Sequence, residues 1–273
     1  MNRGGTKNSH GYTILEVLIV LAVTGLLFVS AALMISGKQN RTNFQVGSHA
    51  IAQQIQQIVN ETQSGYYPHN SNFECTAADT NVKIADIGGS DQGGNNDCIF
   101  VGKTLVFDPN SPESYGIYSL AGRREYNGAD VTNAKDAAIA VILTATTTQT
   151  TPNNLQYVKG RPLTDPGWNS AAFPVAFLSG FAASSSSSNG ANGSQQIELH
   201  GYANLSTWPT TPSDVTTHAG NINGEETQVS PYPSYSSGVD LCFNSAGTNQ
   251  SVVVSISGGL RVTYAIKSGL NCP

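Results

Sequence analysis

Residues 12–35 read YTILEVLIVLAVTGLLFVSAALMI, an apolar stretch in which Glu16 is the only charge. As a helix rising about 1.5 Å per residue it would be roughly 36 Å long, enough to cross a hydrocarbon core of about 30 Å. It therefore reads as a single transmembrane span. A secretory signal peptide does not fit, because the run exceeds an h-region of about 7 to 15 residues and no A-x-A-like site closes it. An uncleaved signal anchor leaves Glu16 to explain, since a carboxylate costs about 2.5 to 3.5 kcal/mol near the centre of a spanning helix. Glu16 needs a partner. Arg3 and Lys7 precede the span while Lys38 and Arg41 follow it, so charge bias alone does not orient it.

Downstream the pattern becomes amphipathic: Phe44, Ile51, Ile55, Ile58 and Val59 recur at helical spacing among Gln, Asn and Ser. The helix is expected to continue to Gln63 and to stop before Gly65, Pro68 and the polar run His69 to Asn72. The remaining chain reads as a β-rich body, because only 11% of residues are charged and Gly, Ser, Thr and Asn abound. Strands are expected at 98–107, 115–120, 137–145, 173–181, 196–203, 239–243, 251–257 and 260–267. In the last two, Val252, Val254 and Ile256, then Leu260, Val262, Tyr264 and Ile266, alternate with other residues around Gly258-Gly259. That pattern predicts a hairpin with a two-residue glycine turn. Residues 86–97, 183–194 and 207–237 read as irregular loops, the natural place for any binding specificity of an exported head.

Four cysteines, Cys75, Cys98, Cys242 and Cys272, lack the C-x₂-C spacing of a zinc site and read as two disulfides of an exported body. The sequential pairing, Cys75 with Cys98 and Cys242 with Cys272, is favoured among three formal connectivities. The formal net charge is −5, and without Arg3 and Lys7 eleven basic residues face eighteen acidic ones. No run of Lys or Arg with interleaved aromatics tracks a phosphate backbone, so nucleic acid is not an expected partner. Arg261 and Lys267, on one strand face by parity, are a thin beginning of a basic patch.

Motifs for chemistry are few. Gly102-Lys103-Thr104 resembles the end of a phosphate-binding loop, but Asp97 stands where that motif needs its first Gly. Asp86, Asp91, Asn95, Asn96 and Asp97 offer oxygen ligands without the ordered spacing of a calcium loop. His10, His49, His69, His200 and His218 are all isolated, and no G-x-S-x-G elbow appears. No enzymatic activity, cofactor or metal is expected.

His10 to Val23, HGYTILEVLIVLAV, resembles the type IV prepilin signature, which includes the pseudopilins of type II secretion. The resemblance joins a short basic leader, Gly before an aromatic, Glu at the fifth mature position and an apolar run that starts at once. It implies cleavage after Gly11 by a prepilin peptidase and methylation of the new amino terminus at Tyr12. It also implies that Glu16 pairs with the Tyr12 amine of a neighbouring subunit, since either charge alone in an apolar seam would be costly. Leu33, where many major pilins carry a kinking Pro, leans toward a pseudopilin or minor pilin. The closing hairpin resembles that of the H-type pseudopilin and FimT-like group.

The implied fold is α+β and type IV pilin-like, a long N-terminal helix packed on a β-sheet-rich globular head. Residues 1–11 would be the leader, 12–35 the transmembrane half of the helix, 36–63 its amphipathic half, and 64–273 the exported head with two disulfides. The implied role is a structural subunit of a pilus-like filament or a secretion pseudopilus, anchored by a single membrane pass with the head extracytoplasmic. Its implied partners are the peptidase, other pilin or pseudopilin subunits and the filament assembly machinery. The rival reading is a membrane-anchored exported binding module that does not polymerise.

Overall fold

The computed structural model describes residues 13–65, 73–78, 81–86, 98–123, 125–131, 140–179, 197–200, 235–245, 247–270 and 272. Helix α1 spans Ile14–Gln63 and ends as expected, with Ser64 and Gly65 closing its last turn on the carbonyls of Asn60 and Thr62 at 3.0 and 3.1 Å. Gly65 adopts φ 68, a left-handed conformation that favours glycine. The chain divides into two compact units, residues 1–43 and 44–273. Each is described separately.

In the larger unit the strands are β1 Phe73–Ala78, β2 Asn81–Asp86, β3 Cys98–Phe107, β4 Ser114–Arg123, β5 Glu125–Tyr126, β6 Ala129–Asp130, β7 Ala140–Thr150, β8 Leu155–Pro162, β9 Phe173–Ser179, β10 Ile197–His200, β11 Gly238–Ser245, β12 Gln250–Ser257 and β13 Val262–Ser268. They form a five-stranded sheet in the order β10-β9-β3-β4-β7, a four-stranded sheet in the order β13-β12-β11-β8, and the small hairpins β1-β2 and β5-β6. The strand pairings in these sheets are antiparallel.

One core lies among the second half of α1 and the two larger sheets. The helix contributes Phe44, Ile51, Ile55 and Val59, all with no exposed surface. Leu105, Phe107, Val175 and Phe177 come from the five-stranded sheet; Val239, Leu241, Phe243 and Val254 come from the other. Burial of each such side chain stabilises by about 1.5 to 3 kcal/mol. The stripe also contains Ser48 and Thr62, whose hydroxyls donate to the Phe44 and Ile58 carbonyls at 2.7 and 2.8 Å. Bonding back to residue i−4 satisfies a buried hydroxyl without a tertiary partner. At Gly47 an added Cβ would come within 3.1 Å of Asn153 and Pro152, so this glycine lets the helix lie close on the turn before β8.

A buried charge also fastens the helix to the sheet. Lys103 on β3 is 1% exposed, and its Nζ lies 2.6 Å from Glu61 Oε2. On the other sheet, Gln56 Oε1 accepts from Val262 N at 3.0 Å, so a helix side chain satisfies the first backbone donor of edge strand β13.

Several expectations need correction. The last hairpin has a three-residue loop: Ile256 pairs with Val262, and Ser257 N donates to the Arg261 carbonyl at 3.0 Å. Leu260, not a glycine, takes the left-handed position with φ 62, and it is 6% exposed within the core. Its burial offsets a conformational cost of about 1 to 2 kcal/mol. Leu260 and Arg261 thus belong to the turn rather than to the strand, which begins at Val262. Gly258 has a different reason to be glycine, since a Cβ there would collide with the Ser236 carbonyl oxygen. Strand β8 was not expected, because Gly160 and Pro162 break its pattern. Hairpin β5-β6 was also missed, although Asn127-Gly128, both at positive φ, is a strong signal for a two-residue turn. The hairpin β1-β2 likewise lies where no strand was expected, whereas most of the three predicted loops falls outside the described residues.

Candidate functional site

The N-terminal unit carries the strongest chemical signal. Thr13 precedes α1, and its Oγ1 accepts from the Glu16 backbone N at 3.2 Å. With Thr at the cap and Glu three residues on, this is half of a capping box, and the carboxylate lies in the first turn, where the helix dipole favours it. In the sequence the signal is the T-x-x-E of Thr13 to Glu16. Glu16 therefore has a local role in starting the helix, beside the inter-subunit role that the resemblance implies.

From this turn to Met34 the helix is apolar around its circumference, and its most apolar window has a mean hydropathy of 2.7. Ile14, Leu26, Phe28 and Met34 are each more than two-thirds exposed within this chain. The few hydroxyls are turned inward on the backbone: Thr24 Oγ1 donates to the Val20 carbonyl at 2.7 Å and Ser30 Oγ to the Leu27 carbonyl at 2.9 Å. Such pairing leaves no unsatisfied side-chain donor at these two positions, as hydrocarbon requires. Length and composition suffice for one membrane crossing. Gly11 and Tyr12, the expected processing residues, lie outside the described residues.

In the head, Cys242 and Cys272 form the disulfide expected of them, with Cα atoms 6.2 Å apart. Cys75 lies on β1 and Cys98 opens β3, but their side chains are outside the described residues, as are residues 91–97 of the calcium reading. Lys103, singled out within Gly102-Lys103-Thr104, lies mid-strand with Glu61 as its partner, not at a helix N-terminus.

Sequence reasoning missed a polar ladder on the four-stranded sheet, because it missed β8. Arg161 pairs with Asp240 across β8 and β11, with Nη2 to Oδ2 at 2.9 Å, and Ser255 Oγ on β12 donates to Oδ1 at 2.6 Å. Trp168 lies over both neighbouring cations, 4.5 Å from Arg161 and 5.0 Å from Lys159. Lys159 Nζ donates to the Cys272 carbonyl at 3.2 Å. The Trp168 segment and the C-terminal disulfide thus cover this face, which reads as structural reinforcement of the sheet.

Residues 6–32 match the family model described as the prokaryotic N-terminal methylation motif. No curated protein and no solved structure matches the chain. The motif implies processing by a prepilin peptidase and, generally, assembly with pilin subunits, and the exposed apolar helix fits a membrane-anchored, exported pilin. The motif at residues 6–32 supports a place for the chain among prepilin-processed, type IV pilin- and pseudopilin-like proteins, and the α+β arrangement of one long N-terminal helix and antiparallel sheets in the head is consistent with a pilin-like fold.

Proposed function

We propose that this chain is a structural subunit, a pilin or a minor pilin or pseudopilin, of a type IV pilus-like filament or a type II secretion pseudopilus. The observation that carries the reading is the contrast within α1: the side chains of Ile14–Met34 are almost all apolar and are exposed, with no described residue burying them. Lipid before assembly and neighbouring helices after it would do so, since exposed apolar surface of this extent marks a membrane or protein contact. The leader would stay in the cytoplasm and the head, with its Cys242–Cys272 disulfide, would face an oxidising compartment. The role is one of packing rather than catalysis. Glu16, in the first turn that Thr13 caps, would set register against the Tyr12 amine of a neighbour, as buried polar groups can.

The test is intact and N-terminal peptide mass spectrometry of the chain made beside an active prepilin peptidase. A product that begins at N-methylated Tyr12 is expected, and a Gly11→Val variant should retain Met1. A wild-type chain that still begins at Met1 would favour the anchored, non-polymerising module. Glu16→Ala should leave the chain in the membrane but reduce its incorporation into filaments; undiminished incorporation would remove the register role.

A further inference from the structure

We propose that the cleft between the end of α1 and the β3-β4-β7 side of the five-stranded sheet binds a small neutral, hydroxyl-rich ligand of the size of a sugar ring. The cleft has a volume of about 280 Å³, near the lower end for small-molecule sites. Its floor is the cross-strand pair Lys103 and Ser119, both 1% exposed. Its mouth is formed by Gln57 from the helix and by Thr147 and Gln149 from edge strand β7, all exposed.

The chemistry of this lining selects the ligand class. Lys103 and Glu61 neutralise one another, so the site offers no net charge to an anion or a cation. Glu61 Oε1 further accepts from Gln57 Nε2 at 2.9 Å, and Tyr115 OH lies 3.4 Å from Gln54 Oε1, so the polar groups hold one another in place before any ligand arrives. Ser119 Oγ is different: it is buried and has no hydrogen-bond partner among the described residues. A buried hydroxyl without a partner is an exception that calls for an explanation, and here it lines the cleft. Hydroxyls and primary amides each donate and accept, which matches a ligand whose own groups do both. Ile58 and Ile117 supply the apolar wall that the C–H face of a sugar ring would cover.

The site lies wholly within residues 44–273 and does not depend on cleavage or polymerisation, so its failure would leave the filament reading untouched. The experiment is saturation-transfer NMR with isothermal titration on the full chain in a sugar-free zwitterionic detergent, with glucose, galactose, mannose and N-acetylglucosamine as probes. At least one is expected to bind with a dissociation constant of about 1 mM, the weak end of the affinity scale. Ser119→Ala should weaken it about tenfold, the effect of one lost hydrogen bond, without lowering the melting temperature of the head. Gln149→Ala, at an exposed edge position that folding does not need, should weaken it about threefold. No transfer to any of the four sugars, or binding that survives both substitutions unchanged, would overturn the proposal.

Discussion

The two halves of α1 share a secondary structure and have opposite surroundings. Ile14–Met34 is exposed on every side, whereas Phe44, Ile51, Ile55 and Val59 are fully buried. Local propensity and hydrogen bonding make both helical, but they do not say what covers the apolar side chains. The second half finds its cover within the chain, because its apolar stripe is matched by the apolar residues of the two larger sheets in one core. The first half has no polar face to turn to water, and among the described residues nothing covers it.

The most direct way to break this contrast is truncation on each side. Ile55→Ala should destabilise the head by about 2 to 5 kcal/mol, read as a lower melting temperature, because it opens a cavity in a packed core. Leu27→Ala should change head stability by less than about 0.5 kcal/mol, as expected of a position that is exposed among the described residues. Equal losses at the two positions would remove the distinction. Reduction of Cys242–Cys272, which closes a separation of 30 residues, should cost the head about 2 to 4 kcal/mol in denaturant melts and leave the helical signal of Ile14–Met34 intact.

Alkaline titration sharpens the same contrast. Burial pushes the Tyr235 phenol from 10.0 up to about 12. Burial also raises Tyr115, and raises Tyr157 with help from the Asp108 charge. A phenol that holds its proton more tightly when folded contributes stability that is complete below pH 10 and lost as the pH rises toward the folded value. The head should therefore lose stability between pH 10.0 and about 12, with phenolate absorbance rising together with unfolding, while Ile14–Met34, which contains no tyrosine, remains helical. Ionisation of Tyr115, Tyr157 or Tyr235 before unfolding, followed ring by ring in NMR because Tyr126 and Tyr264 are exposed, would contradict the burial of these rings. The most local effect is expected at Thr13→Ala, about 1 kcal/mol of helix stability confined to the first turn, seen as faster amide exchange at Glu16 and Val17 and no change in head melting.

The sequence made the helix and its end legible, since Phe44 to Val59 keep one period and Gly65 stops it. It also made the core strands legible where apolar residues alternate, as in Val252, Val254 and Ile256. It misread places where backbone geometry overrode composition. Leu260 occupies a left-handed turn position because the core takes its side chain, an outcome that Gly258-Gly259 concealed. Strand β8 stayed hidden behind Gly160 and Pro162, and with it the Arg161–Asp240–Ser255 ladder.

By itself the sequence determined the apolar N-terminal helix with Glu16 near its start, the methylation motif and a β-rich body, because these rest on local order, length and composition. Only the tertiary structure decided that Lys103 meets Glu61, that Ser119 lines a cleft with no hydrogen-bond partner among the described residues, and that Arg161 meets Asp240. Those residues are between 42 and 79 positions apart where they pair. No local pattern specifies such meetings; they follow from strand order and register, which the whole core fixes at once.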